Sequence, residues 1–213
     1  MFIGHFAAGF AAKRIDARPS LASYFLAGQL PDVLWPAFVL AGWEHVTVAP
    51  GDTAVTPLRF DSYPYSHSLV GAVGWGALFG FLYALWRRNP RGGAVVALLS
   101  ISHWLLDFVS HRADMPLLVF GGPRLGLGLW NSVPETLGVE SLMFAAGVWL
   151  YLKASPTVSR ARVAALVTVL GLLYGGNVFG PPPPSATAVA ATVLIGAPLF
   201  AAFAWWADRP LSS

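Results

Sequence analysis

Residues 92–112 read GGAVVALLSISHWLLDFVSHR, an apolar run that carries three ionisable side chains before the arginine at its end. An α-helix rises about 1.5 Å per residue, so this run is long enough to cross the roughly 30 Å hydrocarbon core of a bilayer. His103, Asp107 and His111 nevertheless lie inside it. The stretch therefore predicts a transmembrane helix that holds ionisable groups.

The chain as a whole has the composition of a membrane protein. Of its 213 residues, 56% are hydrophobic and 11% are charged, whereas an ordinary soluble domain carries about 25% charged residues. We therefore expect the all-α class: a polytopic integral membrane bundle of six to seven membrane helices, in one transmembrane domain over residues 1–213. The apolar stretches cover residues 2–15, 20–45, 66–86, 92–112, 134–153, 162–179 and 185–207.

The two N-terminal stretches differ from an ordinary membrane helix. Residues 2–15 are too few to span an average bilayer, so we expect a thin spanning helix or a half-inserted one. The stretch 20–45 contains Pro31 and Pro36, which predicts a break near Leu30-Pro31-Asp32. Within the single domain, residues 1–153 are expected to hold the polar site, and residues 160–207 to form a C-terminal hairpin that completes the bundle or contacts a second subunit.

The basic residues are concentrated in alternate connections between the apolar stretches. Ten of the 13 lie in one set of connections, and three, Arg59, Arg112 and Arg124, lie in the other. By the positive-inside rule, this bias predicts a multi-pass protein of the cell (inner) membrane with a cytoplasmic C-terminus and the loops 46–65, 113–133 and 180–184 outside. Because the basic residues flank apolar runs and do not line one face, we expect no nucleic-acid partner.

Seven ionisable residues in the apolar stretches have no basic partner nearby in the sequence. Such groups cost a few kcal/mol each in a bilayer core and require compensation. Carboxylates cannot neutralise one another, whereas divalent cations bound by imidazole and carboxylate can. The chain has no cysteine, so nitrogen and oxygen are the available strong ligands. The candidate metal ligands are His5, Asp32, His67, His103, Asp107, His111 and Glu140.

The array His103-x3-Asp107-x3-His111 is the strongest part of this set. Residues four apart on a helix are about 40° apart around its axis, so all three side chains project from one face. They extend over about 12 Å, which exceeds the reach of one ion. The array therefore serves two metals, or one member orients another. The alternative is a face that is hydrogen-bonded across the bundle or lines a wet cavity.

The other candidates are separate in sequence but belong to the same outer half of the predicted topology. Asp32 follows the proline break, His67 begins an apolar helix, and Glu140 lies about two turns inside its stretch. Asp32 or Glu140 is the candidate general base, provided that it is not a metal ligand. His5 and His67 also fit an interfacial position, and His45, beside Trp43 and Glu44, is assigned to the interface.

Three polar residues of the outer loops are candidate substrate-binding groups. Arg112 and Arg124 have the planar fork that suits phosphate or carboxylate, and Asn131 lies in the same outer loop. The alternative is that they anchor the surface of the protein.

The ordered set of an N-terminal His5, Pro31-Asp32, Ser66-His67-Ser68 and His103-x3-Asp107 resembles the membrane-bound metal-dependent hydrolase family, the YdjM-like inner-membrane proteins. The resemblance covers about residues 1–150. The ligand order is also similar to that of zinc-dependent phospholipase C, in which histidines, aspartates and a glutamate hold a cluster of zinc ions. The resemblance implies that the seven candidates named above are the metal ligands.

The leading hypothesis is an integral-membrane hydrolase with two or three divalent metals, zinc before manganese or iron, at the outer membrane face. Its expected substrate is a membrane lipid or a lipid-linked (phospho)ester. A metal-ion or proton-coupled transporter that uses the same His/Asp set is the alternative. A di-metal redox enzyme acting on lipid chains is a third hypothesis, and a homo-oligomer is compatible with all three.

Overall fold

The computed structural model of the protein describes residues 1–211 and shows an all-α bundle, which confirms the predicted fold class. Two short antiparallel hairpins, β1–β2 and β3–β4, lie in the connections. In chain order the elements are α1 (Ile3–Ala12), α2 (Leu21–Gly28), α3 (Leu30–Leu40), β1 (His45–Val48), β2 (Leu58–Ser62), α4 (Pro64–His67), α5 (Leu69–Arg87), α6 (Pro90–Ser110), β3 (Met115–Pro116), β4 (Arg124–Leu125), α7 (Val133–Ala154), α8 (Arg160–Phe179) and α9 (Ala186–Ala207).

Five helices, α5 to α9, are long enough and apolar enough to cross a membrane. They correspond to the five C-terminal apolar stretches of the sequence. Side-chain oxygens cap the first turn of each: Ser68, Asn89, Ser132, Ser159 and Ser185 each accept a backbone N–H from the following turn. Polar residues that flank apolar runs therefore define where these helices begin.

The two N-terminal stretches form shorter helices. Helix α1 has 10 residues, which corresponds to about 15 Å of length, so it does not span a bilayer by itself. The stretch 20–45 divides at Gln29 into α2 and α3, next to the predicted break. Pro31 occupies the first turn of α3, where its missing N–H is tolerated, and Asp32 lies in the same turn, where the helix dipole favours an acidic side chain.

Glycines permit close contact between neighbouring helices. A Cβ atom at Gly80 of α5 would lie 2.5 Å from the Gly93 carbonyl oxygen of α6, and the reverse distance is also 2.5 Å. A Cβ atom at Gly147 of α7 would lie 2.5 Å from the Ala7 carbonyl oxygen of α1. Only residues without a side chain fit at these crossings, and this brings α1 and α6 into the centre of the bundle.

The basic connections gather at one end of the bundle. Lys13 contacts Asp208 at 2.9 Å, Arg91 donates to the Ile15 carbonyl at 2.7 Å, and the Leu211 N–H donates to the Thr157 carbonyl at 2.9 Å. These contacts join the loops after α1, α7 and α9 and the first turn of α6. The alternation of basic residues thus predicted which connections share an end, and the cytoplasmic side of that end stays a prediction.

The two hairpins and α4 lie at the other end. The Ala54 N–H donates to the Trp130 carbonyl at 3.0 Å, and the Val70 N–H donates to the Leu117 carbonyl at 3.3 Å. The loop of the first hairpin is therefore bonded to the turn that follows the second hairpin, and the second hairpin is bonded to the start of α5. They form a cap over the end of α6 that carries His103 and Asp107.

Candidate metal centre

Two groups of buried or half-buried side chains are arranged to hold a metal ion. One consists of His5, His103 and Asp107, and the other consists of Asp32, His67 and His103. In each group the candidate ligand atoms lie within 4.8 Å of one another. His103 belongs to both groups, so they form one continuous cluster contributed by α1, α3, α4 and α6.

The second group has the spacing of a compact metal site. His67 Nε2 lies 3.2 Å from Asp32 Oδ1, and His103 Nε2 lies 3.8 Å from the same oxygen. In a tetrahedral zinc site with bonds near 2.0–2.1 Å, ligand atoms are roughly 3.4 Å apart. Asp107 Oδ2 lies 3.0 Å from His103 Nε2 and 4.0 Å from His67 Nε2, which makes it a fourth donor for this group.

Asp107 presents its two oxygens to the two groups. Its Oδ2 faces His67 and His103, while its Oδ1 lies 3.0 Å from His5 Nε2 and contacts the amino group of Met1. The Met1 amino group also donates to Ser110 Oγ at 2.9 Å. The rings of His5 and His103 stack with centroids 3.8 Å apart. A single carboxylate therefore connects the two groups.

His103 is held in one tautomer with its metal-facing nitrogen unsatisfied. Its Nδ1 lies 2.7 Å from the Gly28 carbonyl oxygen, which can only accept, so Nδ1 carries the proton. Its Nε2 has no hydrogen-bond partner and lies 3.0 Å from Asp107 Oδ2. Two atoms with lone pairs repel at this distance unless a cation lies between them, either a metal ion or a proton on Nε2. The donor set therefore suits a divalent metal.

His111 was predicted to lie within a helix that continues past it, and this detail is wrong. Helix α6 ends at Ser110, and His111 has extended backbone because its carbonyl accepts the Gly128 N–H at 2.7 Å instead of continuing the helix. Its ring still reaches the cluster, since Nε2 lies 4.0 Å from Asp107 Oδ2. His111 is outside both three-residue groups, so its role as a ligand stays a prediction.

Asp114 orients His111 from the side away from the cluster. Its Oδ1 lies 3.1 Å from His111 Nδ1 and accepts the Tyr63 hydroxyl at 3.0 Å, and its Oδ2 accepts Arg112 Nε at 3.0 Å. Burial opposes ionisation of Asp114, but these hydrogen bonds outweigh it and hold the pKa of this carboxyl below its usual range. The ionised carboxylate keeps the proton of His111 on Nδ1 and directs Nε2 inward.

Glu140 lies outside both groups. Its Oε2 accepts the backbone N–H groups of Phe2 at 2.8 Å and Gly4 at 3.1 Å, and its Oε1 has no hydrogen-bond partner. A carboxylate at the start of α1 satisfies N–H groups that have no partner within the helix. Glu140 thus anchors the helix that carries His5, which the sequence did not predict. Its ligand and base roles stay predictions.

The predicted substrate-binding residues lie on the cap. Arg112 donates from one guanidinium nitrogen to Asp52 at 2.8 Å and from Nε to Asp114, so two carboxylates already engage it. Arg124 is exposed and contacts the Asp61 carbonyl at 3.1 Å, and Asn131 is also exposed. Arg124 is therefore the more available cation for an anionic ligand.

Sequence reasoning missed Glu44 and Asp114, two buried carboxylates near the candidate ligands. Asp114 follows His111 by three residues, and a carboxylate at that spacing from a candidate ligand is a usable signal. Glu44 gave no such signal, because beside Trp43 it has the pattern of an interfacial residue. Its burial, at 1% exposure, results only from the fold of the cap.

Comparison with known proteins does not place the chain in a family. No family model, no curated protein and no solved structure matches it. The resemblance to the YdjM-like hydrolases stays a prediction made from the motifs. The conclusion that stands is a helical bundle with five membrane-length helices and a buried cluster of histidine and aspartate that can hold metal.

Proposed function

We propose that the protein is an integral-membrane, metal-dependent hydrolase that binds at least two divalent metal ions, with zinc as the first candidate, and cleaves a lipid or lipid-linked phosphoester. The observation that carries the proposal is the unsatisfied Nε2 of His103 beside Asp107, at the junction of two ligand groups. A metal in such a site lowers the pKa of a bound water and stabilises charge that develops on a phosphoryl or acyl oxygen.

The residues of the cluster differ in their exposure to solvent. His5, His67, His103 and Asp107 are at most 3% exposed and form the fixed wall of the site. The side chain of Asp32 is 43% exposed, so it is the member through which the cluster is accessible. Asp32 therefore stands where a substrate enters, and it is the better placed of the two candidate bases, since Glu140 already binds α1. As the base, Asp32 would leave His67, His103 and Asp107 as the ligands of its group.

The depth of the cluster supports a lipid substrate. Along α6, His103 and Asp107 lie 12 and 16 residues from Arg91, which corresponds to ~18 and ~24 Å of helix. In a hydrocarbon core of roughly 30 Å, this places the cluster in the half opposite the basic end. The ester and phosphate groups of a lipid in that leaflet lie just above such a depth.

An apolar groove on α1 and α6, two of the helices that carry the cluster, fits an acyl chain. It has a volume of about 380 Å³ and lies between α1, α6 and α7. Its lining includes Ala8, Leu105, Leu106 and Met143, and Leu106 immediately precedes Asp107. A lipid tail in this groove brings its head group toward the cap and the cluster.

The transporter alternative requires a polar path across the membrane, and the helices do not supply one. Among residues 1–211, no acidic, basic or histidine side chain lies between His103 and Arg91 in α6, or between Glu140 and Lys153 in α7. The buried histidine–aspartate cluster therefore has no ionisable continuation along α6 or α7 toward the basic end. This one-sidedness favours a reaction at a surface over passage through the bundle.

Metal analysis of detergent-purified protein tests the first step. We expect at least two equivalents in the wild type, loss of one in His5→Ala and in His67→Ala, and loss of at least one in His103→Ala, because the single free nitrogen of His103 binds one ion, whichever group it serves. Less than half an equivalent of any divalent metal, unchanged in His103→Ala, would refute the proposal. Protonation of His103 Nε2 would then explain the contact with Asp107.

Turnover tests the second step. Metal-loaded protein is incubated with mixed phospholipid vesicles, and released head groups and diglycerides are measured by mass spectrometry. We expect release that depends on His103 and Asp32. Metal-dependent ion flux into vesicles without any lipid cleavage would instead support the transporter.

A further inference from the structure

Glu44 is a buried carboxylate that touches neither ligand group directly. Its Oε1 accepts the backbone N–H groups of Tyr65 at 2.8 Å and Ser66 at 2.9 Å, and its Oε2 accepts the Ser66 hydroxyl at 2.6 Å. All of these partners donate, so the site is built for the ionised form. An ionised carboxylate can only accept hydrogen bonds.

Ser66 connects Glu44 to a candidate ligand. Its Oγ lies 2.7 Å from His67 Nδ1, and the opposite nitrogen of that ring, Nε2, lies 3.2 Å from Asp32 Oδ1. A hydroxyl has one proton, which Ser66 gives to Glu44. Its oxygen must therefore accept the proton of His67 Nδ1–H, and the neutral ring then presents its Nε2 lone pair to the cluster.

We propose that Glu44, acting through Ser66, is a positioning residue that sets the tautomer of His67 and prepares its Nε2 to bind metal. The inference rests on the proposed metal centre. Groups that hold the far nitrogen of a ligating histidine fix its ring and raise its basicity, and their removal typically weakens metal binding by 10–100-fold. His103 and His111 are held in the same way, by the Gly28 carbonyl and by Asp114.

Glu44→Gln reverses the donor–acceptor direction of the hydrogen bonds from residue 44 through Ser66 to His67, and the side chain keeps nearly the same shape. The amide oxygen of the variant is expected to accept the two backbone N–H groups, so its NH₂ group faces Ser66 and donates. The Ser66 hydroxyl then donates to His67 Nδ1, and the ring carries its proton on Nε2, where it faces Asp32 and cannot bind metal. Ser66→Ala removes the link and leaves Glu44 in place.

The experiment measures the tautomer and metal binding separately in the full-length protein in detergent. Histidine-selective ¹⁵N NMR of the metal-free protein reports which nitrogen of His67 is protonated, and His67→Gln identifies its signals. Cobalt(II) titration, followed by visible absorption, reports affinity and geometry. Asp208→Asn, a buried carboxylate at the opposite end of the bundle, is the control for general loss of stability.

We expect a proton on Nδ1 of His67 in the wild type and on Nε2 in Glu44→Gln. Cobalt affinity should fall by roughly 10–100-fold in Glu44→Gln and in Ser66→Ala, with an altered absorption band, and should stay unchanged in Asp208→Asn. A wild-type ring that carries its proton on Nε2 alone, or wild-type cobalt affinity in both Glu44→Gln and Ser66→Ala, would overturn the inference. If the wild type binds no cobalt, the metal centre fails, and the NMR result alone decides the role of Glu44.

Discussion

One buried ion pair joins four helices at the basic end of the bundle. Lys13 Nζ lies 2.9 Å from Asp208 Oδ2, and the two side chains are 7% and 8% exposed. Asp208 also accepts the Leu21 backbone N–H at 2.8 Å and the Tyr151 hydroxyl at 2.9 Å. It thus connects the ends of α1 and α9 to the start of α2 and to α7. This makes Asp208 a sensitive position for testing how the bundle is held together.

We expect Asp208→Asn to lower the free energy of unfolding by about 3 kcal/mol. Removing one partner of a buried ion pair costs roughly 3–5 kcal/mol, because the other charge is left uncompensated. Lys13 keeps the Ala17 and Pro19 carbonyls, both at 3.0 Å, which places the cost at the lower end. At roughly 2–4 °C per kcal/mol for a chain of this size, Tm should fall by roughly 6–12 °C.

The assay is thermal unfolding in detergent, followed by tryptophan fluorescence. It compares Asp208→Asn, Lys13→Met and the double variant with the wild type. The double variant leaves no unpaired buried charge, so its Tm loss should be smaller than the sum of the two single losses. A Tm loss in Asp208→Asn too small to measure, or two single losses that simply add, would refute the assigned ion pair.

Three further predictions concern packing, metal and pH. Gly147→Leu should lower the free energy of unfolding by roughly 1–3 kcal/mol, because a Cβ atom at this position meets the Ala7 backbone. Gly74→Ala should be tolerated, because no atom lies within 4 Å of a Cβ atom there. Equal Tm values for the two variants would contradict this packing. Zinc at 100 times its Kd should stabilise the wild type by about 2.7 kcal/mol, reversibly with a chelator, and a Tm insensitive to both would count against a metal centre. Hydrogen bonds from Arg18 hold the pKa of Asp16 below its ordinary 3.8, so the stability contributed by Asp16 is present above about pH 4 and declines below it. The Tm difference between wild type and Asp16→Asn should therefore narrow toward pH 3, and a constant difference would contradict the assigned hydrogen bonds.

Much of the bundle could be predicted because hydropathy and helix geometry are local properties. The five long helices coincide with apolar stretches bounded by capping or basic residues. His103 and Asp107 share a helix face because residues four apart do so in any helix. The alternation of basic residues also indicated which connections meet at one end.

Contacts between distant segments were beyond such patterns. The local sequence predicts that Glu44 is an interfacial residue, but the fold of the cap brings it into contact with Ser66, 22 residues later. The local sequence predicts that Glu140 is an intramembrane ligand, but in the structure it accepts backbone N–H groups at the start of α1. In both cases the local sequence is compatible with either role, and the residue that packs against the carboxylate in the fold determines its role.

The sequence by itself determined an apolar helical bundle with scarce ionisable groups, basic ones at alternate connections and histidines and carboxylates elsewhere. Only the tertiary structure decided which of those groups meet: His5 and Asp107 come together across 102 residues, and His103 joins two groups of ligands. The bundle could be predicted because the free-energy cost of removing a polar side chain from water depends on each residue separately, so it is reflected in the order of apolar and polar residues. Ligand geometry and hydrogen-bond direction depend on pairs of atoms, which exist only once the helices are packed.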